Sequence, residues 1–523
     1  MKRLTRSLVL TGLVAVVLAL GGCDLTDMNT NPNQATDAKP GELLTNAQLD
    51  FADLYWRDYA GAYWMRYAQH LTTNQYTTTD RFGFASSEQN SNNFNFNQAY
   101  LVLNDLQEII RLNRNSPGDT EAFGAPANQI AIAKVMKAFV YQYLTDQYGP
   151  VPFDSALAGQ SAGEFSPSYT SQPDVYSGLI TMLTEASDSI QTGGTAMASG
   201  DLIYSGDMTK WKKFANALKM RVAMRMSDQR PQMAATAINE AVNAGSFTSN
   251  DDNAEVPFGS PPYQNPIFEN YNSGRDDWAA PQALTTFMND RNDPRRPAYF
   301  TDANPNTSAY EVNGFPYGLP QDEAQPLFTD QTTNFSRPSM RVRQPDFPAI
   351  LMLYDEVQFI KAEAKIRSDM SVPAITQSAD QLYQSAITGS MNYWGVSDQT
   401  AINSYLSGVP MPSDSNFDLE QNLGVQKWAA QYLQGIQAWS TWRRMDFQNV
   451  LQVPPGNPGE SAFGKQIAVR MAYPPDEQTL NRTNLEDAIT NMLGGSGVSG
   501  PEAEDQGVRL WWDTEYRPTN PDL

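Results

Sequence analysis

The sequence predicts a mainly α-helical protein whose helices come in pairs and are interrupted by long loop-rich insertions. Apolar residues recur at spacings of three and four along most of the chain, which is the period of an amphipathic helix. The alternation typical of half-buried strands is weak throughout. Between about residues 246 and 350 the helical period nearly vanishes, and Pro, Asn, Gly, Asp and aromatic residues crowd together. A segment of this length without regular structure usually carries function.

The first 22 residues are typical of a bacterial lipoprotein signal peptide. Three cations in MKRLTRS precede the apolar run 8–20, which is too short to span a bilayer because a spanning helix needs about 20 residues. The run ends in Leu-Gly-Gly-Cys23, which resembles a lipobox and holds the only cysteine of the chain. An acylated Cys23 would become the mature N-terminus and attach the protein to a membrane through its lipid. The alternative is an ordinary cleaved signal with an incidental cysteine.

A flexible tether and one large domain are expected to follow this leader. Residues 23–41 are rich in Asp, Asn, Thr and Pro and have no apolar period, which is typical of a tether. Residues 42–523 are predicted to form a single domain, which is divided into a helical scaffold at about 42–245 and 351–450, the loop-rich region at about 246–350 and a C-terminal region at 451–523. The net charge of −22 repels phosphate backbones and therefore excludes nucleic acid as a partner.

The predicted helices follow from the apolar period of each segment. The first begins near Glu42, and the clearest lies within 351–368. Its apolar stripe consists of Leu353, Val357, Ile360 and Ala364. The other helices are predicted at about 97–113, 126–148, 173–191, 208–228, 231–244, 376–393, 417–441 and 482–493. In YGPVP (148–152), Gly149 is expected to end a helix, and the two prolines are expected to keep it from resuming.

Eight short segments, in this order, resemble those of a known family. They are CDLTDMNTNPN (23–33), YQYLTDQYGPVPFDSAL (141–157), QPDVYSGLITML (172–183), KWKKFANALKMRVAMR (210–225), FMNDRNDPRRPAYF (287–300), EVQFIKAEAKIR (356–367), GIQAWSTWRRMDF (435–447) and RMAYPPDEQTLNRTN (470–484). Each segment is weak alone. Together, over most of the chain, they resemble the SusD/RagB-like outer-membrane lipoproteins that capture nutrients.

The resemblance implies a fold, a location and a partner. Proteins of this family form a superhelix of TPR-like helix pairs, with long loops on one side that make a ligand site. They lie on the cell surface at the outer membrane, cap a TonB-dependent (SusC-like) transporter and pass oligosaccharide or peptide fragments to it. They bind without catalysis and without a cofactor. This sequence lacks regular repeats of about 34 residues, so its helix-pair repeats must be degenerate.

The ligand site is expected in two loop-rich stretches, residues 74–96 and 258–278. Sugars offer flat C–H faces to aromatic rings and hydroxyl groups to amide, carboxylate and guanidinium side chains. The candidates in the first stretch are Asn74, Tyr76, Arg81, Phe82 and Phe84. The candidates in the second stretch are Tyr263, Asn270, Tyr271, Arg275, Asp277 and Trp278. Trp278 is expected to be the main ligand contact, and the alternative is that these rings anchor the loops to the body.

A second aromatic group lies in WSTWRR, where Trp439, Trp442 and Arg443 share one helical face. A carbohydrate platform is conceivable there, but the favoured interpretation is a pair of core tryptophans, because aromatic stripes on helices usually pack in cores. Glu356 and Glu363 are expected to pair with Arg443 or Arg444 inside the scaffold.

Catalysis gives the first alternative function, a surface glycan hydrolase. A Ser-His-Asp triad would need His70, the only histidine, and the favoured role of His70 is packing or capping at a helix end. A glycosidase needs only two carboxylates about 5–10 Å apart, but no pair of acidic residues is singled out by spacing. The second alternative is a structural lid of the transporter that binds no ligand itself.

Two glycine motifs are interpreted as loops. GESAFGKQ (459–466) has the spacing of a P-loop, but Gln466 replaces the Ser or Thr that would hold magnesium. GSGVSG (495–500) has the spacing of a dinucleotide-binding loop but follows a predicted helix instead of a strand.

Overall fold

A computed structural model describes most of the chain from residue 38 onward. The described residues are 38–56, 61–83, 86–157, 163, 166–306, 310–330, 333–455, 467–493 and 507–514. The predicted signal peptide, Cys23 and most of the predicted tether lie outside them, as do Phe84 and the two glycine motifs. The signal peptide and tether therefore stay predictions.

Helices dominate the described residues. The α-helices of six or more residues are α1 (Pro40–Trp56), α2 (Gly61–Tyr67), α3 (Ser86–Asn115), α4 (Pro126–Tyr148), α5 (Gln172–Ser189), α6 (Met208–Arg225), α7 (Pro231–Ala244), α8 (Pro266–Asn272), α9 (Gln282–Asp290), α10 (Gln321–Thr329), α11 (Tyr354–Ile366), α12 (Ala379–Tyr393), α13 (Gln399–Ser407), α14 (Val425–Ala430), α15 (Gly435–Met445), α16 (Pro475–Leu480) and α17 (Arg482–Asn491). The strands are β1 (Thr72–Thr73), β2 (Ala254–Val256), β3 (Trp278–Ala279) and β4 (Ala349–Met352).

Local sequence explains where several of these helices begin and end. Helix α4 begins at Pro126, whose missing N–H costs nothing in the first turn, and ends before Gly149, which has a φ of 90°. The Asp207 carboxylate accepts hydrogen bonds from two backbone N–H groups at the start of α6. Ser378 and Gln381 form a capping box at the start of α12.

The structure confirms the mainly helical fold. The predictions 126–148 and 231–244 agree with the bounds of α4 and α7, and most others agree within a few residues. The prediction 417–441 is wrong as one helix, because a π-helical turn at Leu419–Gly424 and a break after Ala430 divide it. The stretch 74–96 is also more helical than expected, since α3 begins at Ser86.

The loop-rich region at 246–350 contains more regular structure than the sequence indicated. It holds three helices of seven to nine residues, α8, α9 and α10, together with β2, β3 and the start of β4. These helices are too short to show a clear apolar period. Loops still connect them. Strand β4 lies antiparallel to β2, and both strands contact α1 of the helical scaffold.

Neighbouring helices pack in succession and form the TPR-like scaffold. Helix α3 packs against α1 and α4, α5 packs against α4 and α6, and α7 packs against α6. Later in the chain α11 and α12 form a pair, and α15 returns to pack against α2. This succession confirms the predicted architecture of paired helices.

The tryptophan pair of WSTWRR lies in the core, as favoured. The Trp439 ring is fully buried and stacks on Trp64 of α2, with ring centroids 5.4 Å apart and an angle of 13° between the planes. The guanidinium carbon of Arg443 lies 3.5 Å from the centroid of the Trp439 ring. The cation and the two rings therefore hold together α2 and α15, which lie far apart in the sequence.

The buried ion pairs agree only in part with the expectation. Glu363 pairs with Arg444 at 2.6 Å, as predicted. Glu356 pairs instead with Arg221 of α6 at 2.7 Å, and both side chains are 1% exposed. Burial alone would raise the pKa of Glu356, but the charge and hydrogen bonds of Arg221 hold it below its ordinary value. The sequence could not identify Arg221 because the two residues meet only through helix packing.

His70 has the packing role that was favoured for it. Its ring is fully buried against Trp428, and Nε2 lies 3.0 Å from the Trp428 carbonyl oxygen. Burial lowers the pKa of His70 to about 3.

No helix within the described residues is long and apolar enough to cross a membrane.

Candidate functional site

Two short strands join the two loop-rich stretches in which the ligand site was expected. Strand β1 lies antiparallel to β3, with Thr72 opposite Ala279 and Thr73 opposite Trp278. The contact continues beyond the strands, since the Asn74 N–H donates to the Asp277 carbonyl oxygen at 2.9 Å. The Asn74 side chain also donates to the Asp276 carbonyl oxygen at 2.6 Å. The turn after β1 and the loop before β3 are therefore fixed to each other.

Asp80 supports this junction from inside. Its carboxylate accepts hydrogen bonds from the Thr72 hydroxyl and the Thr73 N–H, both at 2.8 Å. Burial raises the pKa of Asp80, while the nearby Arg66 and the two threonine donors oppose that rise. A buried acid with these donors holds the backbone of β1 in place.

Tyr76 is the aromatic residue that the junction presents to solvent. Its side chain is 66% exposed, and its backbone has a φ of 57°, which is unusual for a residue with a side chain. The Tyr76 N–H donates to Oε1 of Gln321, at the start of α10, at 2.6 Å. The loop before β3 and the first turn of α10 thus both support the Tyr76 turn.

Arg275 lies over the ring of Tyr76. Its guanidinium carbon is 5.2 Å from the ring centroid, and its Nε donates to Oδ2 of Asp277 at 2.6 Å. The Arg275 side chain is 43% exposed and that of Asp277 is 7% exposed. The ion pair therefore positions a cation that holds the exposed ring.

Asp276 and Arg337 extend this surface. Nε and Nη2 of Arg337 donate to the Asp276 carboxylate at 2.6 to 2.9 Å, and the guanidinium carbon lies 4.5 Å from the centroid of the Phe328 ring. Arg337, Phe328 and Gln321 were not among the predicted site residues, because no local motif marks them and only folding brings them here. We define the loop face as the surface of Tyr76, Arg275, Asp276, Gln321 and Arg337.

The structure corrects the expectation that Trp278 is the main ligand contact. Its ring is 2% exposed and belongs to the main core, while the next residue, Ala279, faces a small apolar cluster with Phe315, Ala324 and Phe335. The carbonyl oxygen of Trp278 accepts the Tyr271 hydroxyl at 3.0 Å. The ring therefore anchors β3 to the body and offers no face to a sugar.

Other predicted residues also have packing roles. Phe82 is fully buried, with its ring edge against Tyr67. Asn270 is buried, and Tyr271 is half-buried beneath Arg343, whose guanidinium carbon lies 3.8 Å from the centroid of the ring. The Arg81 guanidinium donates to the Gly318 carbonyl oxygen at 3.3 Å. Of the predicted residues that the structure describes, Tyr76, Arg275 and Tyr263 reach solvent most clearly, and Tyr263 is 42% exposed.

The chemistry of the loop face suits a neutral polar molecule. It combines an exposed ring with amide, guanidinium and carboxylate groups, which together can stack on a flat apolar face and hydrogen-bond hydroxyl groups. Among the described residues, no cluster of three or more His, Cys, Asp or Glu side chains could hold a metal ion.

Comparison with known proteins identifies the family. A model of SusD-like proteins, described as "Starch-binding associating with outer membrane", matches residues 32–474, which is well over half of the chain. No match was found among curated proteins.

Several solved structures have the same fold. A chitin-binding protein is 25% identical, with a TM-score of 0.75 over 91% of this chain and 100% of that one. A SusD homologue from Bacteroides uniformis is 23% identical, with a TM-score of 0.72 over 90% of this chain and 99% of that one. A chitin-binding SusD homologue from Flavobacterium johnsoniae is 21% identical, with a TM-score of 0.72 over 91% of this chain and 98% of that one. The family match and the shared fold together show that this chain belongs to the SusD-like family of carbohydrate-binding, outer-membrane-associated proteins.

Proposed function

We propose that the protein is a cell-surface lipoprotein that binds an oligosaccharide at the loop face and delivers it to a TonB-dependent outer-membrane transporter. The observation that carries the proposal is the ring of Tyr76, which is 66% exposed and lies under Arg275. An aromatic ring that solvent reaches and that neighbouring groups hold in place is suited to stacking against a sugar.

The polar groups around the ring support a carbohydrate ligand. Gln321, Asp276 and Arg337 lie on the same surface and can donate to or accept from sugar hydroxyls. The net charge of −22 disfavours acidic cargo at an exposed site and is compatible with neutral glycans. Two of the similar structures are named as chitin-binding, which also favours a glycan over a peptide.

The ion pairs of the loop face favour binding over hydrolysis. Asp276 is held by Arg337 and Asp277 by Arg275, each at about hydrogen-bond distance. Both carboxylates are occupied by arginines, whereas glycoside hydrolysis needs two carboxyl groups that are available to the sugar. We therefore propose that the ligand leaves the protein chemically unchanged.

Attachment and delivery rest on the sequence and the family. The lipobox at Cys23 would supply a lipid anchor, and association with the outer membrane is part of the description of the family. A SusC-like transporter is the proposed partner, because a binding protein at the cell surface needs a route for its cargo. Mass spectrometry of the protein from its native host should find an acylated N-terminal Cys23, and an unmodified or absent Cys23 would contradict this part.

The test of ligand binding is calorimetry with chitin hexasaccharide, maltoheptaose and a mixture of short peptides. We expect saturable binding of an oligosaccharide, with no shortening of the chain detectable by mass spectrometry. Tyr76→Ala should weaken binding by roughly thirtyfold, since an aromatic anchor contributes about 2 kcal/mol.

Phe94→Ala is the matched control, because Phe94 is a 45% exposed ring on α3. It should bind like the wild type. Failure of all oligosaccharides to bind, equal affinity of Tyr76→Ala, or cleavage of the ligand would overturn the proposal.

A further inference from the structure

A cavity lies between helices α3, α4 and α5, and none of its lining residues belongs to the loop face. It has a volume of about 390 Å³. This lies within the range of small-molecule sites, which is about 300–1,000 Å³. Its polar lining consists of Gln107, Arg114, Lys134, Lys137, Thr181 and Glu185.

The cavity concentrates positive charge in an acidic protein. Three cations line it, Arg114, Lys134 and Lys137, and Glu185 is the only acid among its lining residues. The whole chain has 36 basic and 58 acidic residues, so the excess of two positive charges at this cavity is opposite in sign to the net charge of the chain. Neighbouring cations in a partly enclosed space attract an anion.

Lys137 is the cation that the fold leaves without a counter-ion. Its side chain comes from α4, the residue is 9% exposed, and Nζ donates to Oε1 of Gln107 at 2.6 Å. No carboxylate pairs with it among the described residues. Burial, then the charges of Arg114 and Lys134, lowers the pKa of Lys137 to about 8.

The other two cations leave room for a bound anion. Lys134 pairs with Glu185 at 2.7 Å, and the Glu185 side chain is 58% exposed, so this pair lies toward solvent. Arg114 is exposed and makes no ion pair within the described residues. An anion beside Lys137 could therefore accept from its free N–H groups and from Arg114 without breaking an ion pair.

Apolar groups form another wall of the cavity. Phe153, Ile110 and Met182 line it, and the Phe153 ring lies close over Gly178 of α5. A Cβ atom at Gly178 would lie 2.6 Å from a carbon of that ring, so the glycine allows this close approach. The Phe153 ring also packs edge-on against the ring of Tyr141, with ring centroids 4.7 Å apart, and this contact further fixes its position.

We propose that this cavity binds a small organic anion, with its carboxylate or sulfate group at Lys137 and Arg114 and its apolar face against Phe153. Acidic monosaccharides have both features. The site is separate from the loop face, and the proposal does not depend on the oligosaccharide site.

The test is calorimetry at pH 7 and constant ionic strength with four probes: glucuronate, glucose 6-sulfate, glucose and inorganic sulfate. We expect saturable binding of glucuronate, of glucose 6-sulfate or of both, which also identifies the anionic group. Glucose should bind at least tenfold more weakly, because it lacks the charge. Inorganic sulfate should also bind more weakly, because it lacks an apolar face.

Lys137→Met should weaken binding of the acidic sugars at least tenfold. Lys361→Met is the matched control, because Lys361 on α11 is half-buried and is also a lysine whose pKa burial lowers. If Lys137→Met does not fold, Arg114→Gln tests the site instead, because an exposed arginine can be replaced without loss of folding. This variant should weaken binding of the acidic sugars several-fold.

Tyr76→Ala should bind the acidic sugars normally, which separates a failure here from a failure at the loop face. The proposal is overturned if neither acidic sugar binds, if glucose or inorganic sulfate binds equally well, or if the Lys137 and Arg114 variants keep wild-type affinity.

Discussion

The guanidinium of Arg275 lies over the ring of Tyr76, 5.2 Å from its centroid, and is itself held by the buried carboxylate of Asp277. The ring is thus supported through a charged side chain. This arrangement leaves most of the ring accessible while restricting its motion, which reduces the entropy that a ligand must overcome on binding.

Replacing Arg275 tests that support. Arg275→Met should weaken oligosaccharide binding by about two- to fivefold, since an exposed cation–π contact is worth about 0.5–1 kcal/mol. The melting temperature should change little. Arg291→Met is the control, because Arg291 is exposed and lies 4.4 Å from the centroid of the buried ring of Phe287. Calorimetry that finds equal losses for both variants would contradict the specific role of Arg275.

Trp278→Ala should act on stability. The ring is 2% exposed, so its removal leaves a cavity and should cost about 3–5 kcal/mol of the free energy of unfolding, measured by urea denaturation. Folded Trp278→Phe should keep most of its oligosaccharide affinity. A stable Trp278→Ala protein that has lost binding would instead restore Trp278 as a direct ligand contact.

Glu356→Ala should be among the most destabilising single changes in the scaffold. It leaves Arg221 charged and buried without its partner, at a cost of about 3–5 kcal/mol. Glu486→Ala is the control, since Glu486 pairs with Arg482 on α17 and both side chains are exposed, at 47% and 70%, so its loss should cost less than about 1 kcal/mol. Urea denaturation of both variants checks the difference, and equal costs would show that burial does not decide it.

His70 makes the fold sensitive to acid. Its pKa is about 3 in the folded protein, below the ordinary value of 6.5, so the unfolded chain binds a proton at a higher pH than the folded one does. Its contribution to stability is therefore lost as the pH falls below 6.5. Between pH 7 and pH 5 the loss is about 2 kcal/mol. Between pH 7 and pH 5 the free energy of unfolding of His70→Gln should therefore fall by about 2 kcal/mol less than that of the wild type. An equal fall in both proteins would contradict the role of His70.

Local signals explain what the sequence could predict. Helix α4 was predicted with its correct bounds because Pro126 and Gly149 mark its ends within the segment itself. The break between α14 and α15 was missed because it depends on tertiary packing, with Leu433 at a φ of 65°. Helices α8 to α10 were missed because seven to nine residues hold barely two turns of apolar period.

The sequence indicated the two stretches that meet at β1 and β3, and it named Tyr76 and Arg275 in them. That these residues bind a ligand stays a prediction, and the arrangement of the side chains could not be predicted. The sequence could not decide which rings face solvent, because the exposure of Tyr76 and the burial of Trp278 both follow from the pairing of β1 with β3. Gln321 could not be predicted for the same reason, since it meets Tyr76 only in the folded chain.

The stack of Trp64 on Trp439 has a consequence for biogenesis. Helix α2 cannot cover Trp64 with Trp439 until most of the polypeptide has been made, so the apolar surface of α2 stays uncovered during most of synthesis. We expect the nascent chain to require a holding chaperone, and truncation before α15 to yield aggregates and not a smaller folded protein.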